Sequence, residues 1–419
     1  MKKTLLFLGL VVLAASLNSC KKYKNKEVYA NVPVYMSEED FRNSFAFEDP
    51  QTVQTAGNIF VYNNYVFVND VDRGIHIFNN TDPYNPYSIG FMSIIGNTQI
   101  AVKGDVLYAD SFMDLVAIDI SNITQPVQID RMLDVFEYKF PMIDENFPVA
   151  NVDRSQGVVV DWNVEKTKDV SGFMAKFNVS DCPSCDQTEV QTKMAISSSS
   201  VALAGSMSKF AIINDNLYAL DYTDLKSFNI TNPSSITFGG TKRTWREPET
   251  LFASQEFLFV GTTTGMVIYD AAADPSFPDY VSEIEHVESC DPVVVDGDYA
   301  YLTLREGTDC GGDINELQVI DISNINFPTH KKSVSMTNPH GLGVDNNLLF
   351  ICDGEDGLKV FDASNPVTTG FMPEYHFPNI KSNDIILNNG LAIMIADDGV
   401  YQYDYSDPGN IFMTSVFYF

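Results

Sequence analysis

Apolar residues along this chain gather in short runs rich in Val, Ile, Leu, Phe and Tyr, parted by Asn, Asp and Gly, and the runs recur about every forty residues. One copy reads Gln99-Ile100-Ala101-Val102-Lys103-Gly104-Asp105-Val106-Leu107-Tyr108-Ala109-Asp110, continues as Asp114-Leu115-Val116-Ala117-Ile118-Asp119-Ile120-Ser121, and reaches Pro126. Runs of this length and composition, bounded by turn formers, predict β-strands packed between neighbouring sheets rather than amphipathic helices. Each unit supplies an inner strand such as Val293-Val294-Val295 or Ile385-Ile386-Leu387, a second such as Leu217-Tyr218-Ala219-Leu220, a third ending in an Asp signature, and a more variable fourth. Four short strands at this period predict an all-β repeat array of the propeller type.

Aligning the units on a proline gives seven copies, anchored at Pro83, Pro126, Pro233, Pro275, Pro328, Pro366 and Pro408. Four of the six intervals lie between 38 and 43 residues and a fifth, of 53, is stretched by the Gly- and Asp-rich segment 305–313. The expectation is a β-propeller of seven four-stranded blades over residues 51–419, with one long insertion at 134–207 read as an elaborated hairpin, a protruding arm or an irregular eighth blade. The third strand closes on Val319-Ile320-Asp321-Ile322-Ser323, Val360-Phe361-Asp362-Ala363-Ser364 or Tyr403-Asp404-Tyr405-Ser406. An Asp two residues before a Ser binds local backbone N–H groups, and a proline beyond it denies the donor that would extend the strand, so these acids are expected to form turns rather than bind metal. Asn69-Asp70-Val71-Asp72-Arg73-Gly74 lacks the ligand count and terminal Glu of a calcium loop.

Residues 1–19 read as a signal peptide: Lys2 and Lys3 precede the apolar stretch 5–15, which is short for a membrane span, and Leu17-Asn18-Ser19-Cys20 resembles a bacterial lipobox. Cys20 is then the expected lipidation site, and residues 20–50 a basic tether and leader. Loss of the two signal lysines shifts the formal charge from −30 to −32, a surface that disfavours nucleic acid. Among the remaining cysteines, Cys182 and Cys185 form a CxxC suited to a local disulfide, Cys290 and Cys310 fall in one repeat and are candidates for another, and Cys352 ends an apolar run as a core thiol.

The run Leu115-Val116-Ala117-Ile118-Asp119-Ile120-Ser121, repeated as Leu317-Gln318-Val319-Ile320-Asp321-Ile322-Ser323, resembles the LVIVD repeat. The leader Val32-Pro33-Val34-Tyr35-Met36-Ser37, with Gly74-Ile75-His76-Ile77-Phe78-Asn79-Asn80, is similar to a group of LVIVD-repeat lipoproteins of Bacteroidota. That resemblance implies a β-propeller on an exported outer-membrane lipoprotein and brings no established activity or catalytic residue. Lys21 and Lys22 after Cys20 resemble the periplasm-facing case more than the surface-exposed one.

The five histidines form no short-spaced metal pair, and neither a nucleophile elbow nor a phosphate-binding glycine loop is present. No cofactor or metal is therefore expected. The residue preceding each inner strand is expected to rim the central channel: Asn58, Gln99, Lys209, Glu249, Asp291, His340 and Asp384. Polar variety at one equivalent position in otherwise apolar repeats suits the mouth of a binding site. Two functions follow. One is a non-catalytic binding or scaffolding propeller in an envelope assembly, with a protein partner and Phe136, Phe140, Phe147 and Phe173 partly exposed around the insertion. The other is a carbohydrate-active or other hydrolytic propeller using Glu249, Asp291, His340 and Asp384.

Overall fold

The computed structural model describes residues 27–168, 203–285, 292–306, 314–368 and 372–419, without the side chains of Leu203 and Ala204. The signal peptide, Cys20, Asp291, Phe173 and the cysteines at 182, 185, 290 and 310 lie outside the described residues.

Among the described residues seven antiparallel four-stranded blades follow one another, at residues 56–93, 100–132, 210–243, 248–285, 293–335, 342–377 and 382–418. They are numbered here as blades 1 to 7. The sheet of blade 1 is widened to six strands by Ala46–Glu48 and Leu203–Ala204 on its two edges. The inner strands neighbour one another in that order, and blade 7 returns to blade 1. The second strand of every blade is buried along most of its length, as in Val66-Phe67-Val68, Leu258-Phe259-Val260 and Ile393-Met394-Ile395. Both faces of each sheet are covered by other blades, so these strands are continuously apolar instead of alternating.

The core lies between the blades. Ile77 and Met92 of blade 1 pack with Val102 and Ile118 of blade 2. Leu115 and Tyr108 of blade 2 meet Phe210 and Phe228 of blade 3. Ile59 and Val68 of blade 1 meet Ile386 and Ile395 of blade 7, which closes the ring.

Local chemistry repeats with the fold. Where the third strand ends, Asn79, Asp119, Asn229, Asp270, Asp321, Asp362 and Asp404 each accept the backbone N–H two residues on. This bears out the turn-forming role expected of the signature acids. A four-residue turn follows in each blade, closed by an N–H to C=O bond such as Asn85 to Asp82 or Asn410 to Asp407. Pro83, Pro233, Pro275, Pro366 and Pro408 take the second position of that turn, where their fixed φ fits. In blades 2 and 5 Ile123 and Ile325 stand there, and Pro126 and Pro328 come just after the turn.

A second compact unit comprises residues 27–43 and 140–168 among those described. Strand Val28–Met36 pairs antiparallel with Val158–Thr167, so part of the insertion pairs with the leader. Buried Asn31 organises the turn between them: its side chain donates to the carbonyls of Asp144 and Phe147, each at 2.9 Å, and accepts from the Asp144 N–H at 3.0 Å. Trp162 donates to the Pro141 carbonyl at 2.8 Å, Phe140 lies 5.8 Å from its ring, and Phe147 lies 6.4 Å from Tyr29. Residues 134–139 belong instead to the propeller unit. There half-buried Phe136 packs on Phe210 and Phe228 of blade 3, at 5.9 and 5.7 Å.

Candidate binding face of the propeller

Inner strands begin, and second strands end, on one face of the ring, because each blade is an antiparallel meander. Six of the seven expected mouth residues are described there: Asn58, Gln99, Lys209, Glu249, His340 and Asp384. Four of them are buried rather than open to a ligand: Asn58, Gln99, His340 and Asp384. Lys209 and Glu249 are half-buried.

These residues join into two groups. Asn58 donates to the Thr98 carbonyl at 2.6 Å, and the Gln99 side-chain oxygen accepts the Lys209 N–H at 2.9 Å, which links blades 1, 2 and 3. Across the ring, the His340 carbonyl accepts the Thr303 hydroxyl at 2.6 Å, and its own N–H donates to Cys352. Nη1 of buried Arg305 sits 2.7 Å from Nδ1 and 2.9 Å from Nε2 of His340. The adjoining Gly341 N–H donates to Asn383, which places His340 beside Asp384.

The stretch leading into blade 3 reaches both groups. Leu203–Ala204 adds to the inner edge of blade 1 and also neighbours the inner strand of blade 7. Beyond it, the N–H and hydroxyl of Ser206 donate to one oxygen of Asp384 at 3.1 and 2.9 Å, and Leu342 N–H donates to the Ser206 hydroxyl at 2.8 Å. Ser208 then accepts the Leu251 N–H of blade 4, and Lys209 meets Gln99. Approach to Asp384 requires glycine on both sides. A Cβ on Gly205 or on Gly341 would lie 1.9 Å from a carboxylate oxygen.

Further carboxylates at the ends of second strands hold the chain entering inner strands. Asp70 accepts the N–H groups of Gln54 and Thr55, Asp110 those of Thr98 and Gln99, and Asp353 those of Thr337 and Asn338. Sequence inspection missed this role because acceptor and donors stand between 11 and 16 residues apart. Burial pushes the Asp110 carboxyl above its ordinary value, against the pull of its Thr98 and Gln99 hydrogen bonds. Asp70 ends below its ordinary value: burial raises it, but bonds from His76, Thr55 and Gln54 and the charge of Arg73 outweigh that. Cys352 is a free, buried thiol, which burial pushes far above the usual thiol range. Among the described residues, no group of three or more His, Cys, Asp or Glu is placed to hold a metal ion.

The LVIVD repeat family matches residues 55–86, 96–134, 289–336 and 340–376. No curated protein matches the chain. Among solved structures it is similar to the periplasmic gluconolactonase PpgL of Pseudomonas aeruginosa, with TM-score 0.53 and 8% identity over 86% of this chain and 96% of that one. It is also similar to the computationally designed Ika8 protein, with TM-score 0.51 and 8% identity over 87% of each chain. At such identities the likeness speaks for the fold alone. Four of the seven blades, namely 1, 2, 5 and 6, thus carry LVIVD repeats, on a seven-bladed β-propeller.

Proposed function

We propose that this chain is a non-catalytic binding propeller, a subunit of a bacterial envelope assembly held at the periplasmic side of the outer membrane by acyl chains on Cys20. The observation that carries the proposal is the engagement of Asp384 by Ser206. A general acid or nucleophile must reach a substrate, whereas this carboxylate is fully buried and binds the segment that crosses the mouth. His340 is buried beside Arg305 in the same way. A hydrolytic propeller acting through these groups would first have to unmake contacts that join blades 6 and 7 to the segment entering blade 3.

Purification of the tagged lipoprotein from its native envelope in mild detergent, read by mass spectrometry, tests the proposal. The expected result is a stoichiometric envelope protein that co-elutes, and release of the Cys20→Ala form from the membrane fraction. Recovery of the chain alone, together with substrate turnover that survives purification, contradicts it.

A further inference from the structure

Trp245, in the connection from blade 3 to blade 4, is 87% exposed and holds a left-handed backbone, with φ +62°. Both features run against expectation for an indole: a bulky residue is strained at positive φ, and an exposed one gains nothing from burial. The loop around it is nonetheless firmly anchored. Buried Thr244 donates its N–H to the Thr223 carbonyl at 2.9 Å, and its single hydroxyl proton is shared between the Thr223 carbonyl at 2.8 Å and the Arg246 carbonyl at 2.7 Å. Arg246 in turn binds Thr264, Glu283 and Glu285 of blade 4. The backbone that carries the indole is therefore held in place, and the ring is presented outward.

A second aromatic stands at the adjoining turn. Tyr222 precedes Thr223, is 38% exposed, and also has positive φ, at +55°. Both lie on the face where the expected mouth residues sit, with Trp245 four positions before Glu249. The residues that follow the indole are polar and reach the surface: Arg246 is half-buried and Glu247 exposed. A stable protein interface buries about 800 Å² on each partner, more than two aromatic side chains of about 150–250 Å² each supply. An exposed indole beside hydrogen-bonding side chains suits a ligand with one apolar face and a polar rim, which is the description of a pyranose ring. Its C–H groups, slightly positive, stack on the negative face of the π-system while its hydroxyls meet the charged neighbours. The formal charge of −30 disfavours acidic sugars.

We infer that Trp245 and Tyr222 form a platform for a neutral glycan on the mouth face of blades 3 and 4. The inference rests on the reading of the chain as a binder rather than a catalyst, and names a ligand class for it.

The chain has two tryptophans, so full-length protein labelled with 5-fluorotryptophan gives two fluorine resonances, assigned by Trp245→Phe. Cellohexaose, chitohexaose and mannohexaose are titrated in turn, with hexagalacturonate as the anionic control. With at least one neutral hexasaccharide the Trp245 resonance shifts and saturates while that of Trp162 stays fixed. Trp245→Ala and Tyr222→Ala each weaken that sugar by about tenfold or more in calorimetry. The platform is overturned if none of the three moves the Trp245 resonance at millimolar concentration, if only hexagalacturonate does, or if binding survives Trp245→Ala. Reducing ends counted in the same samples separate the two readings. A sugar that is bound and cleaved supports the platform and overturns non-catalytic binding, whereas a failure of all three sugars leaves the protein-partner reading standing.

Discussion

One oxygen of Asp384, on the inner strand of blade 7, accepts both the N–H and the hydroxyl of Ser206, 178 residues earlier in the chain. The same hydroxyl accepts the Leu342 N–H of blade 6. Ser206→Ala removes a donor from a buried carboxylate and an acceptor from a buried N–H at once, and is expected to cost about 2 kcal/mol. Urea unfolding should show a lower midpoint with unchanged slope.

A reciprocal amide pair also ties blade 7 to blade 1. Asn80 of blade 1 and Gln402 of blade 7, both buried, each donate to the other at 2.8 Å. Either alanine substitution leaves the opposite amide buried without that partner, a loss of about 1–3 kcal/mol. The double variant is expected to cost clearly less than the sum of the two, and a double-mutant cycle in urea reads the difference as coupling.

The turn acids set the response to acid. Asp321 is pushed down to about 2 by the hydroxyl and N–H of Ser323 and by Lys331, and Asp119 and Asp362 are lowered by their own Ser partners. A folded value below the unfolded one gives stabilisation that is complete above the ordinary carboxyl value of 3.8 and lost as pH falls through about 2. Stability should accordingly drop across that window. Asp321→Ala is expected to be weaker by about 0.5–1 kcal/mol at neutral pH, solvent screening included, and to converge with the parent at the acid end. Asp110, raised by burial, works in the opposite sense: its cost to the fold appears as pH rises through the unfolded carboxyl value.

Trp245→Gly should raise the melting temperature. Glycine adopts the φ of +62° without strain, and the exposed indole contributes little burial, so a gain of about 1 kcal/mol is expected. A stabilising change that abolishes glycan binding would mark the strain as retained for function.

Cys352 is expected to resist a thiol reagent in the native protein and to react at the rate of unfolding, since the thiolate is disfavoured by burial. Its labelling rate should follow denaturant concentration along the unfolding limb.

Legibility from sequence follows the distance over which each feature is made. The blades could be read because a four-strand unit, its apolar second strand and its Asx turn are all written within about forty residues, as from Ile100 to Met132. The six described mouth positions fall on one face, as the repeat implies, but the burial of Asn58, Gln99, His340 and Asp384 was not foreseeable. Gln99 meets Lys209 and Asp384 meets Ser206 over 110 and 178 residues, and no local pattern announces either contact. Pairing of Val28–Met36 with Val158–Thr167 was hidden for the same reason. Trp245 carried no signal either, because its interest lies in backbone angle and exposure, which the residues Thr244 to Glu247 do not spell out.

The central claim is that Asp384 and His340 hold blades of the ring together instead of facing a substrate. Hydrogen exchange at the backbone amides of Ser206, Gly341 and Leu342 tests it most directly. The account predicts that these amides exchange only with global unfolding, as slowly as those of the second strands. Exchange at the rate of an open loop would contradict it, for Asp384 and His340 would then be free to meet a substrate.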